Sequence, residues 1–76
     1  MTDTKQLEFY IRESGYKRGY IASRLGLSRA GFNNLLHNRA YFRAPQITLL
    51  CELLNIPREK RDDIFFAKSG GNNPPN

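Results

Sequence analysis

The chain contains no tryptophan, one methionine, one histidine and one cysteine, and from Ser14 to Cys51 it contains no Asp or Glu. A lone Cys51 excludes an internal disulfide and a multi-cysteine zinc site, and leaves a cytoplasmic setting as the expectation. A lone His37 lacks the companions that a metal ligand needs. The sequence shows no carboxylate pair and no nucleophile beside a base, so neither an enzyme nor a cofactor is expected. No apolar run approaches the roughly 18 residues that span a bilayer, and no signal-peptide pattern opens the chain, so no membrane partner is expected. A chain of 76 residues buries too little surface for a deep cleft, and no small-molecule substrate is expected either.

What is present is basic charge, unevenly placed. The net charge is +5. The acid-free stretch carries Lys17, Arg18, Arg24, Arg29, Arg39 and Arg43, a local +6, while the remainder sums to −1. Such a surface suits a polyanion, and nucleic acid is the commonest one in a cytoplasm. Charge alone does not separate DNA from RNA or anionic lipid.

The same stretch has a pattern. Ile21, Ala22 and Leu25, then Phe32, Leu35 and Leu36, carry the i, i+3, i+4 spacing of apolar helical stripes. Gly26 between them offers the left-handed conformation that ends a helix, and Ser28 is an N-cap for the next. Helix, glycine, short turn and capped helix form the layout of a helix-turn-helix. On a wheel of about 100° per residue, Ala30, Asn33, Asn34 and His37 lie opposite Phe32, Leu35 and Leu36, with Arg29 beside them. Two adjacent Asn residues are poor helix formers, and their amides gain a purpose if they read adenine while Arg reads guanine. Solvent-facing Asn residues are the alternative.

In chain order, the caps at Thr2, Asp3 and Thr4, with Gln6 at the capping-box position, open a helix that Gly15 stops after Ser14. Leu7, Tyr10, Ile11 and Ser14 share its stripe, and Tyr16 is expected to pack into the second helix, about Arg18 to Leu25. Gly19 weakens that helix by about 1 kcal/mol. Arg18, at its start, is placed for a phosphate, although a solvated arginine fits the spacing equally. Asn38 is expected to end the third helix, and one of Tyr41 and Phe42 to plug the core. Pro45 suits the first position of a fourth helix. Its stripe of Ile47, Leu50, Cys51 and Leu54, widened by Leu49 and Leu53, predicts the most buried helix, ended by Asn55. Pro57 opens a fifth, about Arg58 to Ala67, in which one of Phe65 and Phe66 closes the core. The folded domain is expected over 1–68, with 69–76 a disordered tail.

From about Leu7 to Phe66 these features resemble the Cro/CI-type helix-turn-helix repressors of bacteriophages and related mobile elements. The residues that carry the likeness are Ala22, Gly26, Leu27-Ser28, Phe32, Leu35 and the LLCELLNI segment, together with an FN..L motif in helix three and a Phe-Phe ending. The resemblance implies an all-α, five-helix, lambda-repressor-like domain whose third helix enters the major groove. Carried over by position, Arg29, Ala30, Asn33 and Asn34 are the expected base contacts. Lys17, Arg18, Ser28, His37, Arg39 and Arg43 are the expected DNA-backbone contacts. The chain departs from the family pattern at Lys17, where a small polar cap is usual, at Tyr20, often Glu, and at Asn38, commonly glycine.

The expected function is therefore a sequence-specific transcriptional regulator of a phage or mobile element, bound to a double-stranded DNA operator and, as such repressors often are, as a homodimer. The competing expectation is an antirepressor that keeps the fold and binds a partner repressor protein through Tyr20, the aromatic loop and the Phe pair.

Overall fold

The computed structural model describes residues 1–67. They form five helices, α1 (Thr4–Ser14), α2 (Arg18–Arg24), α3 (Arg29–Leu36), α4 (Ala44–Leu54) and α5 (Arg58–Phe65), with no strand among the described residues. The fold is all-helical. The tail expected at 69–76, and Lys68 at the end of the expected domain, lie outside the described residues.

Leu7, Ile21, Phe32, Leu50 and Ile64, one from each helix, are fully buried and form the centre of a single core. Leu35 and Leu36 bury the same side of α3 as Phe32. Burying side chains of this size supplies about 1.5–3 kcal/mol each, which is what helices of seven to eleven residues need to persist. Among the loop aromatics, Phe42 packs edge-on to Phe65 at 5.3 Å, and Tyr41 is left 80% exposed. Of the terminal Phe pair, Phe65 is buried and Phe66 exposed.

Three helices end in the same way. At Gly26, Asn38 and Asn55 the backbone turns left-handed, with φ of 74°, 58° and 56°. The next N–H in each case reaches back to a carbonyl five residues earlier: Leu27 to Ala22, Arg39 to Asn34 and Ile56 to Cys51, all at 2.9 Å. This Schellman closure satisfies carbonyls that a helix end otherwise leaves open. Asn substitutes for Gly at two of the three sites because its short polar side chain tolerates that conformation.

Asn38 has a second task. Its Oδ1 accepts from the Thr2 N–H at 3.0 Å, and its Nδ2 donates to the Thr2 carbonyl at 3.1 Å. The next amide, Asp3 N–H, donates to the Ile64 carbonyl. The first residues are thus clasped between the end of α3 and the end of α5. Asp3 is also the N-cap of α1, accepting the Gln6 N–H at 3.2 Å and the Gln6 Nε2 at 3.0 Å. Gln6 therefore bonds the Asp3 carboxylate rather than its backbone N–H, which Ile64 has taken.

The boundaries differ in places from the pattern. Helix α2 stops at Arg24, with Leu25 as its cap, and α5 stops at Phe65. Ala44, not Pro45, begins α4, since Arg43 is already extended and serves as the cap. Leu49 does not widen the core stripe; it is 43% exposed. Cys51 is half-buried at the edge of the core, and burial pushes its thiol up, away from the reactive thiolate. Because α4 buries only Ile47, Leu50 and Leu54 of its length, it is not the most buried helix; the shorter α3 buries as many side chains.

Two tests follow from the clasp and the cap. Asn38→Gly keeps the left-handed turn and loses both bonds to Thr2, and is expected to lower stability by about 1–3 kcal/mol. Asn38→Ala should lose about 1 kcal/mol more, for the backbone strain. Removing Met1 and Thr2 should reproduce the Gly loss, with no further loss when the two are combined, in a denaturation cycle. The hydrogen bonds from Gln6 hold the Asp3 carboxyl below the usual carboxylate range. A depressed folded-state pKa stabilises above the unfolded pKa, and the contribution disappears as pH falls through the folded one. Asp3→Ala is expected to lower the melting temperature at neutral pH by the equivalent of about 0.5–2 kcal/mol. The gap to the wild type should close in strong acid.

Candidate nucleic-acid interface

The four-residue link Leu25–Ser28 between α2 and α3 sets the frame of this surface. Ser28 caps α3, its Oγ accepting the Gly31 N–H at 3.0 Å. A Cβ at Gly31 would lie 3.3 Å from that oxygen, so a side chain there presses on the cap. With Phe32, Leu35 and Leu36 buried, the opposite side of α3 presents Arg29, Ala30, Asn33 and Asn34 to solvent, all exposed. That side carries no acidic group, and α3 has none anywhere.

The expected contacts fall into three neighbouring grooves. Arg18, Arg29, Ala30 and Asn33 line a cavity of about 270 Å³. Lys17, Arg18 and Arg29 line a wider one of about 690 Å³, with Arg12 and Glu8 on its α1 side. Asn34, Arg43 and the exposed Tyr41 line a third, of about 490 Å³. Arg39 joins the last group through its Nη1, 3.4 Å from Asn34 Oδ1. His37, at the C-cap of α3, is exposed but outside all three. Lys17 caps α2 by backbone position only, with no side-chain hydrogen bond to the helix. Arg43 likewise caps α4, its N–H donating to Gln46 Oε1 at 2.8 Å.

Arg18, for which the spacing allowed a phosphate contact or a solvated side chain, is held by an acidic partner. Its two terminal nitrogens donate to both carboxylate oxygens of Glu8, Nη1 at 3.1 Å, in a fork. That pairing raises the Arg18 guanidinium pKa. Glu8 thus stands at the edge of the basic surface and occupies one of its arginines with the planar, two-oxygen geometry that a phosphate also offers. The apolar stripe of α1 gives no sign of this contact, since the two partners stand ten residues apart in the chain.

Gly19 lies beneath the stem of Arg29. A Cβ there would meet Arg29 Cδ at 3.6 Å, an ordinary contact, so the stem crosses the start of α2 at van der Waals distance. Tyr16 stacks on Tyr20 at 5.0 Å, as the packing across the α1–α2 link required. Tyr20 accepts from Arg24 Nη1 at 3.1 Å, beneath a guanidinium 5.9 Å above its ring. Among the described residues no cluster of three or more His, Cys, Asp or Glu can hold a metal, and no helix is long and apolar enough to cross a membrane. Comparison of the chain with family models, characterised proteins and solved structures returns no match.

Proposed function

We propose that the chain is a sequence-specific DNA-binding regulator, with α2 and α3 as a helix-turn-helix in a lambda-repressor-like bundle and α3 as the helix that enters the major groove. One observation carries the reading. The exposed side of α3 consists of Arg29, Ala30, Asn33 and Asn34, free of carboxylates, and is bordered by Lys17, Arg18, Arg39 and Arg43. A side chain able to pair with guanine and two able to pair with adenine lie on one helical surface. The arginines around them match the phosphates on either side of a groove. The protein acts by occupancy, as a repressor does, and performs no chemistry.

An antirepressor of the same fold is the second reading. Tyr41 and Phe66, 80% and 61% exposed, favour it, since both offer ring surface to another protein. Salt separates the two: phosphate binding falls steeply with salt through counterion release, and apolar protein contact does not. Selection from random duplexes followed by mobility shift is expected to yield a preferred site whose affinity falls at least tenfold between about 50 and 200 mM salt. Arg29→Ala and Asn34→Ala should each relax preference at one position and lose about 1–3 kcal/mol on that site. No preferred site, with salt-resistant capture of a companion repressor, would replace the DNA reading by the second.

The Glu8–Arg18 fork gives a separate test of the phosphate role. Glu8→Gln releases Arg18 and removes the carboxylate nearest the groove. Affinity is expected to rise for all sequences alike, by about 0.2–1 kcal/mol, the worth of an exposed ion pair. Arg18→Ala should weaken all sequences alike and flatten the salt dependence by about one phosphate. A change in base preference in either variant would place Arg18 on a base instead.

A further inference from the structure

The groove between α1 and α2 holds more than the DNA reading uses. Its cations are Arg12 from α1, Lys17 and Arg18 at the start of α2, and Arg29 from α3. Its one carboxylate is Glu8, which Arg18 holds. Among the described residues no carboxylate lies within 4.0 Å of Arg12, Lys17 or Arg29. The same lining is aromatic. Tyr16 and Tyr20 both contribute to it, stacked on one another at 5.0 Å with a tilt of 42° and each left more than two-fifths exposed. The groove measures about 690 Å³, within the range of about 300–1,000 Å³ that small-molecule sites occupy.

Charge and rings together select the ligand. Duplex DNA brings phosphates to the cations, but the faces of its bases are stacked against one another and give the tyrosines nothing to bind. A bare phosphate likewise leaves the rings idle, and an apolar ligand leaves the excess of cations unanswered. A free nucleotide meets both. Its phosphate offers Arg18 the two-oxygen geometry that Glu8 now supplies. Its base has a flat face that stacks on an aromatic side chain whatever the base. Glu8 is then the internal occupant that the phosphate displaces. The ligand is held here and not transformed.

We propose that the groove between α1 and α2 binds a free nucleotide, with the phosphate on Arg12 and Arg18 and the base on Tyr16 and Tyr20. The site stands without the DNA reading, and its test uses no DNA. Titrating the isotope-labelled full chain with adenosine monophosphate, at constant ionic strength, is expected to shift the amide resonances of Gly15 to Tyr20. Those of Arg39 to Arg43 should stay in place. Inorganic phosphate and adenosine, titrated separately, should each bind at least about fivefold more weakly, since each lacks one half of the contact. Tyr20→Leu keeps an apolar side chain and loses the flat ring. It should weaken the nucleotide by at least about fivefold and leave phosphate binding unchanged. Arg12→Gln should weaken the nucleotide and phosphate alike.

A nucleotide that binds no more tightly than inorganic phosphate overturns the proposal and leaves a basic surface alone. So do shifts that spread evenly to Arg39 and Arg43, or wild-type nucleotide affinity in both variants. A single strand of four nucleotides that binds at the Gly15 to Tyr20 amides at least about tenfold more tightly also overturns it, and assigns the groove to a strand. The comparison of ligands on the wild type needs no substitution, so it decides even where a variant fails to fold. Failure here leaves the DNA reading standing, and failure to bind duplex DNA leaves this site standing.

Discussion

The burial of Phe32 is the contact on which the candidate surface depends. The ring is 1% exposed, and it fixes the rotation of α3 about its axis. A helix that commits Phe32, Leu35 and Leu36 inward can present only Arg29, Ala30, Asn33 and Asn34 outward. A turn of one residue, about 100°, would bury an amide and expose a ring. The ends of α3 are fixed separately. Ser28 caps its first turn, and Asn38 closes its last turn while binding the backbone of Thr2. A helix of eight residues is too short to hold itself in water, so its orientation is a property of the core and of these two terminal devices.

The electrostatics of the surface follow from what lies across α1. The stretch from Ser14 to Cys51 contains no acid, but folding brings Glu8 to its edge, where it forks onto Arg18. The pair is exposed, so it contributes little to stability. Its effect is on availability: a phosphate that binds Arg18 competes with an internal carboxylate of similar geometry. Such competition lowers affinity without regard to sequence, so it sets the overall strength of binding and leaves the ratio between sites unchanged.

Much of this was legible in the sequence because the signals were local. The i, i+3, i+4 stripes placed the helices and gave Phe32 to the core, while Gly15, Gly26, Asn38 and Asn55 marked helix ends through their tolerance of positive φ. The choice between Phe65 and Phe66 was open by periodicity and was settled by Phe42, which meets Phe65 from a loop 23 residues earlier. The Glu8–Arg18 fork and the Asn38–Thr2 clasp were not legible, since each joins positions that only the tertiary fold brings together. Leu49 was misplaced for a physical reason. An apolar residue beside a stripe looks like part of it, and which edge of a wide stripe meets solvent depends on the neighbouring helix, here α2.

That misplacement bears on where the exposed apolar side chains lie. Leu49 and Tyr20 looked unconnected in the chain, one a core residue and the other an adhesive departure at the edge of the DNA surface. In the fold Leu49 shares a groove with Tyr16 and Arg24, while Tyr20 lines the groove of Lys17, Arg18 and Arg29. The DNA reading and the protein reading could use the same side of the molecule, because Tyr20 lies on α2, beside α3. Arg29, Ala30 and Asn33 open onto a groove on one side of α2, and Arg24 faces Glu52 on another. Tyr16 and Tyr20 line the groove of Lys17, Arg18 and Arg29, and Tyr41 that of Asn34 and Arg43, so these rings border the basic surface itself.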